Sequence, residues 1–238
     1  MTMQTTISAP PPSVRPQSIA KIETRPDGVA IITIDDPAEA HNTITPALGG
    51  ELTAALDIVA ADPKVRAVVV RSGKRASFLV GANIDFVRSI RFAQDAEEAS
   101  QEVARRFGRL GALLETPARE GTPGKSRRAL PKQKPVVACV HGPALGGGFE
   151  LALACTAAVA TDDPKTVLGL PEVKLGLIPA ANGLFHIAER AGLRVALDLG
   201  LTGRTLPPAR ALALGLVDEV VPAAVSVDAA VALALRLA

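Results

Sequence analysis

The sequence predicts a mixed α/β fold in one large domain, and three observations carry that prediction. A valine-rich run, Val136 to Val140, breaks at Gly142 and Pro143, passes Gly146, Gly147 and Gly148, and opens into the apolar run Phe149 to Ala160. That order reads as a buried strand, a glycine turn and a helix. Near the start, apolar and polar residues alternate through Thr24 and are followed by Pro26-Asp27-Gly28 and the strand-like Val29 to Ile34, which predicts a hairpin turning at Asp27-Gly28. A length of 238 residues with 48% apolar content then supplies enough material for one sizeable core.

The elements follow in chain order. Residues 1–19, with Pro10, Pro11, Pro12 and Pro16 among Ser and Thr, are expected to form a disordered tail, and the folded domain is expected over 20–238, its first strand near Lys21-Ile22-Glu23. Thr45 before Pro46 marks a helix start, a capping side chain followed by proline at the first helical position. Leu48, Leu52, Leu56 and Val59 then share one face of that helix. Val65 to Val70 is expected as a strand ended by Ser72-Gly73-Lys74, and Ala96 to Leu114 as a charged amphipathic helix. The insert 116–134, rich in Pro and Gly and carrying Lys125, Arg127, Arg128, Lys132 and Lys134, reads as an exposed basic linker. Leu197 to Pro222 reads as a helix, a turn at Gly203, a second helix and a short strand, Val217 to Val221. The final DAAVALALRLA is an apolar helical pattern whose Leu233, Leu235 and Leu237 are expected to need further cover.

Composition excludes several function classes. Lys plus Arg exceed Asp plus Glu by 26 − 24 = 2, which argues against a general nucleic-acid or membrane surface. Aromatic residues make up 3% of the chain, with no Tyr or Trp, so base stacking is not expected. Cys139 and Cys155 are expected as buried, reduced thiols. His41, His141 and His186 lack metal-ligand spacing, so no metal is expected. The sequence has no charge-free apolar stretch of membrane-spanning length and no secretory leader pattern at its start, and the expected location is the cytoplasm.

The chemistry concentrates between residues 135 and 179. Glu150 is the one carboxylate in FELALACTAAVA, a run apolar on nearly every face, where an uncompensated charge costs several kcal/mol. Glu172 lies 172 − 150 = 22 residues further on, in LGLPEVKLGLIP, also mostly apolar. The glycines before Glu150 allow close approach of a ligand to backbone, and the helix after them offers free N–H groups and a positive dipole end, which suits a developing oxyanion. A phosphate loop does not fit, because the Lys and Ser/Thr that should follow the glycines are missing and Glu150 would repel a phosphate. Taken singly, each Glu has a plainer reading: Glu150 as a first-turn residue complementing the dipole, Glu172 as a loop residue paired with Lys174.

HGPALGGGFELALAC followed by LGLPEVKLGLIP resembles the crotonase (enoyl-CoA hydratase/isomerase) superfamily, and more narrowly the hydratase part of multifunctional fatty-acid oxidation proteins, in which a 3-hydroxyacyl-CoA dehydrogenase follows. The resemblance runs from about Ile22 to Val221. It implies a crotonase-like ββα spiral with a core of stacked sheets surrounded by helices. It implies further C-terminal helices, absent from this sequence, so that the chain looks like a hydratase domain cut short. No dinucleotide-binding glycine pattern occurs, and no cofactor is expected apart from the coenzyme A carried by the substrate.

The same resemblance assigns roles. Phe78 to Asp85 is similar to the family's glycine-alanine-aspartate-isoleucine segment, with Asn83 in the aspartate's place, and it implies the N–H groups of Ala82 and Gly147 as oxyanion donors. Asn83 could still cap the next helix. Ala40, Asn42, Lys74, Ala76, Gly81 and Gly146 are implied to border the acyl-CoA, the stretch from Lys74 to Gly81 mostly through backbone. Read from residues alone, Asn42 is a turn residue satisfying nearby backbone. The implied reaction is syn addition of water to a trans-2-enoyl-CoA. Two carboxylates about 4 Å apart repel by on the order of 4 kcal/mol at an effective dielectric near 20, so the pair holds one proton. Glu150, nearer the dipole, is assigned as base and Glu172 as acid. Implied partners are an acyl-CoA thioester and either further copies of the chain or a 3-hydroxyacyl-CoA dehydrogenase. An isomerase, which typically works with one carboxylate, and a non-catalytic binding member are the rival readings. The segment Ala180 to His186 keeps Gly183 but otherwise departs from the family's turn, which bears on acyl-pocket shape.

Overall fold

A computed structural model describes residues 18–112 and 134–238. The first part of the chain runs β1 (Ala20–Thr24), β2 (Val29–Ile34), α1 (Pro46–Ala61), β3 (Ala67–Ser72), β4 (Leu79–Val80), α2 (Ile84–Ser89) and α3 (Ala93–Ala112). After the undescribed segment come β5 (Val136–Val140), β6 (Pro143–Leu145), α4 (Gly147–Ala154), β7 (Ala157–Thr161), β8 (Val167–Gly169), α5 (Gly183–Ala191) and α6 (Leu193–Thr202). The chain then finishes with β9 (Thr205–Leu206), α7 (Pro208–Ala213), β10 (Glu219–Val221) and α8 (Ser226–Leu237).

The strands form two sheets, one of six strands in the order β1-β2-β3-β5-β7-β10 and one of four in the order β4-β6-β8-β9. β1 and β2 make the expected antiparallel hairpin, with Gly28 at φ 84 in the turn and Asp27 Oδ1 accepting the Val29 N–H at 3.2 Å. From β2 onward the larger sheet is parallel. Its middle strands are buried on both faces, which is why β3, β5 and β7 read as continuous Val/Ala runs rather than alternating ones. On one face Val68, Val70, Val136, Ala138 and Val140 meet α1, α3 and α4; on the other Val69, Val137 and Val159 meet α8.

Helix α1 matches its expectation in detail: Thr45 Oγ1 accepts the Leu48 N–H at 3.1 Å, and Leu48, Leu52, Leu56 and Val59 are all buried. Asn83 also caps, accepting the Asp85 and Phe86 N–H groups at 3.0 Å.

Several expectations need correction. The apolar run Phe149 to Ala160 is not one helix: α4 stops at Ala154, Cys155 is extended, and β7 begins at Ala157. An apolar run without polar punctuation has no periodic signal to place such a boundary. Tertiary partners place it instead: Thr156 Oγ1 accepts the Val136 N–H at 2.9 Å, and Arg190 Nη2 donates to the carbonyls of Leu153 and Cys155 at 2.8 and 3.0 Å, closing the helix end. The strand expected at Val65 to Val70 lies at Ala67–Ser72.

Ser18 and Ile19, expected in the tail 1–19, belong to the fold: Ile19 is buried and both residues donate to Glu51 Oε2; residues 1–17 lie outside the described residues. The linker 116–134 lies outside them too, except Lys134, which is no solvated linker residue. Its Nζ donates to the carbonyls of Val59, Ala60 and Asp62 at 2.7–2.8 Å, where α1 leaves carbonyls unpaired. In α8 the helical period turns Ala230, Val231, Leu233 and Ala234 onto the sheet, so Leu233 is already covered and Leu235 partly so; only Leu237 of the expected three is exposed. Both cysteines are free and buried, and burial pushes the Cys155 thiol up to about 12.

Candidate active site

Glycine 146 opens the site. It takes φ 54, the left-handed region, at the N-cap of α4, and any Cβ there would lie 2.7 Å from Glu172 Oε1. Gly148 is glycine for packing, because a Cβ would strike the Leu79 carbonyl. Gly147 lies between them under the Ile44 side chain, with Glu150 Oε2 at 3.9 Å from its Cβ position. The two carboxylates thus converge on consecutive residues of the glycine turn.

Glu150, in the first turn of α4, is 2% exposed. Burial raises its pKa, opposed by backbone hydrogen bonds from Gly183, Ala181 and Ala180. Its Oε1 accepts the N–H of Ala181 at 2.8 Å and of Gly183 at 2.9 Å. Those donors and the helix dipole both favour the ionised form. Glu172 opens a 3₁₀ turn and is only partly buried, yet its pKa is pushed up to about 7, by desolvation first and the charge of Glu150 last. Its Oε2 is buried and has no hydrogen-bond partner among the described residues. Both carboxyls are thus raised by burial, Glu150 against backbone donors and Glu172 with one oxygen unpartnered among the described residues. The alternative pairing of Glu172 with Lys174 is absent from the ion pairs of the described residues.

The backbone supplies two further groups. β4 pairs with β6 at Leu79–Ala144 and Val80–Leu145, and just beyond that pairing Gly81 Cα lies 3.4 Å from the Cβ position of Gly146, which brings the Gly81-Ala82 backbone to the start of α4. The bridge that holds Ala82 is made by the Ile44 N–H on the Gly81 carbonyl, 2.8 Å, and the Asn83 N–H on the Ile44 carbonyl, 3.1 Å. The N–H of Ala82 takes no part in it. Gly147 is the first residue of α4, where no carbonyl lies a turn behind to accept its N–H. Among the described residues neither N–H has a hydrogen-bond acceptor outside regular helix and strand pairing.

The residues expected to border an acyl-CoA sit in different settings. Ala40 and Ala76 are exposed, and Gly81, at φ 78, and Gly146 flank the turn. Asn42 is corrected: it is fully buried, its Nδ2 donates to the Ile34 carbonyl and Ser72 Oγ, and its Oδ1 accepts the Asp36 N–H, so its side chain pins three segments together and cannot reach a ligand. Lys74 is corrected likewise. Its Nζ pairs with Asp35 at 3.0 Å and donates to the Asp36 carbonyl, its N–H goes to Ser72 Oγ, and its carbonyl accepts from His141 Nε2.

Sequence reasoning missed the residues that hold Glu150. Between its two donors lies Asn182 at φ 68, the one non-glycine residue with positive φ among those described. Gly183 has no room for a side chain, since a Cβ would press on Glu150 Cγ at 2.6 Å. The signal available was the Asn-Gly dipeptide, a turn pair that tolerates left-handed backbone. Ile44 was also missed as a wall: it covers Gly147 and lines an apolar hollow of about 100 Å³ with Leu52, Leu56, Phe86, Val103 and Phe107. Among the described residues no cluster of His, Cys, Asp and Glu could hold a metal, and no helix is long and apolar enough to cross a membrane.

With this geometry in view, the chain was compared with known proteins. The sequence pattern of the family described as Enoyl-CoA hydratase/isomerase matches residues 24–111 and 115–238. The fatty acid oxidation complex subunit alpha of Shewanella putrefaciens is 41% identical over 211 residues, 89% of this chain and 27% of that protein. The chain thus spans about a quarter of such relatives. Among solved structures, an enoyl-CoA hydratase from Geobacillus kaustophilus superposes with a TM-score of 0.78 at 27% identity, over 93% of this chain and 75% of that one. EchA1_1 from Mycobacterium paratuberculosis gives 0.70 at 36% identity, over 92% and 75%.

Proposed function

Because the chain belongs to the enoyl-CoA hydratase/isomerase family, and takes the crotonase fold of its structural neighbours, we propose that its activity is hydration: syn addition of water across the 2,3 double bond of a trans-2-enoyl-CoA. The observation that carries this reading is the convergence of two carboxylates on one glycine turn, Glu150 held there by two backbone N–H groups. Ionised Glu150 takes a proton from water as the oxygen attacks the β-carbon. Protonated Glu172 delivers a proton to the α-carbon. The enolate charge that develops on the thioester oxygen rests on the N–H groups of Ala82 and Gly147, where losing one donor costs about 3 kcal/mol of barrier. The hollow behind Ile44 takes the start of the acyl tail.

The coenzyme A arm runs past Ala40, Ala76 and Gly81, where exposed backbone and small side chains leave room for it. The naming of its relatives for a fatty acid oxidation complex supports the same pathway here, with a 3-hydroxyacyl-CoA dehydrogenase consuming the product. Leu193, Leu197 and Leu201, one turn apart and exposed on α6, support association with further copies or with that dehydrogenase. The test is direct: purified protein mixed with crotonyl-CoA should bleach the absorbance of the conjugated thioester and yield 3-hydroxybutyryl-CoA. Migration of the double bond in a 3-enoyl-CoA without uptake of water would instead make the chain an isomerase.

A further inference from the structure

A cavity of about 530 Å³ opens at the carboxyl ends of β3, β5 and β7. It lies on the face of the larger sheet that α8 covers, whereas α4 and its glutamate pack on the opposite face. None of Glu150, Glu172, Gly147 and Ala82 lines it, and of the residues expected to border the acyl-CoA only Ala76 does, with Arg75 beside it.

Its charge is one-sided. Along β3, Ala67 and Val69 face α8, and the two-residue period of a strand puts Arg71 on that face, in register with Cys139 of β5. Arg71 is thus a partly buried guanidinium at the end of a core strand, with no carboxylate partner among the described residues. A charge in that position needs a counter-charge. Arg75 and Lys165 reach the same cavity and also lack ion pairs among the described residues. The one acid in the wall, Asp163, already accepts the Lys165 backbone N–H at 2.8 Å. Three cations against one carboxylate, 3 − 1 = 2, leave a net positive charge that a dianion would balance. Ser226 and Val227, at the start of α8, add the positive end of a helix dipole to the wall.

We infer that this cavity is a second binding site, separate from the catalytic turn, for a small phosphate-bearing anion. Guanidinium forks match the oxygen geometry of phosphate, the volume is that of a small-molecule site, and the crevice outside the carboxyl ends of parallel strands is where open α/β sheets bind such ligands. The site does not depend on the hydratase reading, and it holds whether or not the chain turns over crotonyl-CoA.

Isothermal titration at low ionic strength tests it, with inorganic pyrophosphate and glycerol 3-phosphate as separate probes for a free phosphate and a phosphate ester. One equivalent of at least one probe should bind, and the tighter of the two identifies the source. Arg71→Gln and Lys165→Gln should each weaken it about tenfold or more, the loss of a charge-assisted hydrogen bond. Crotonyl-CoA turnover in both variants should stay within about twofold of the native chain, consistent with a site apart from the chemistry. Lys165 is exposed, so its variant keeps the fold and isolates the charge. The inference is overturned if neither probe gives saturable heat, if both variants bind as the native chain does, or if saturating coenzyme A displaces the probe.

Discussion

Glu172 is held in a setting that disfavours its charge, and this has consequences that can be measured apart from catalysis. Its carboxyl rises from the ordinary 4.5 to about 7 in the folded chain. A pKa raised by folding means that the unfolded chain releases the proton first as pH rises. The contribution to stability is therefore fully present below about pH 4.5 and is lost as pH climbs through about 7. Denaturant titrations at pH 4.5 and pH 8 should show the native chain losing roughly 1–3 kcal/mol through this group, allowing for its partial exposure, and Glu172→Gln should lack that component. In the proposed hydration this proton is the one delivered to the α-carbon, so kcat/KM should fall above about pH 7 as Glu172 ionises. Glu150 was legible in the sequence as a carboxylate in an apolar run. What could not be read was what hydrogen-bonds it, because its donors come from backbone 31 and 33 residues away, at Ala181 and Gly183.

At the scale of elements, the turn from Ala180 to Gly183 positions the base, and Asn182 is its strained member. A left-handed residue without glycine's freedom costs on the order of 1 kcal/mol and persists only where the surroundings require it. Asn182→Gly should preserve both donors, while Asn182→Val, β-branched at φ 68, should move them off Glu150. The expected signature is a kcat lowered about tenfold or more in the Val variant with KM little changed, and rescue in the Gly variant. Elements with their own local signals were legible: the Asp27-Gly28 turn, the Thr45-Pro46 cap and the valine strand all stand where the residues place them. The boundary between α4 and β7 was not, since its cause is Arg190 on the carbonyls of Leu153 and Cys155, an interaction between distant parts of the chain. Asn42 and Lys74 misled for a related reason. Each is polar and close to the expected ligand path, yet buried partners use up their hydrogen-bonding groups.

Across the whole molecule, one six-stranded sheet separates the two proposed sites by its faces. The glycine turn, both carboxylates and the free N–H groups belong to the side of α4, and the basic cavity to the side of α8. The site is assembled from the β4–α2 connection, the start of α4, the 3₁₀ turn at Glu172 and the start of α5, so only the complete fold brings its parts together. In the proposed hydration step both carboxylates act, one as base and one as acid. The most direct measurement is kcat for crotonyl-CoA hydration by the native chain, Glu150→Gln and Glu172→Gln, each verified as folded by circular dichroism. General acid–base catalysis of this kind predicts a loss of roughly 10²–10⁴-fold in each variant. Near-native turnover in either folded variant would contradict the two-carboxylate mechanism.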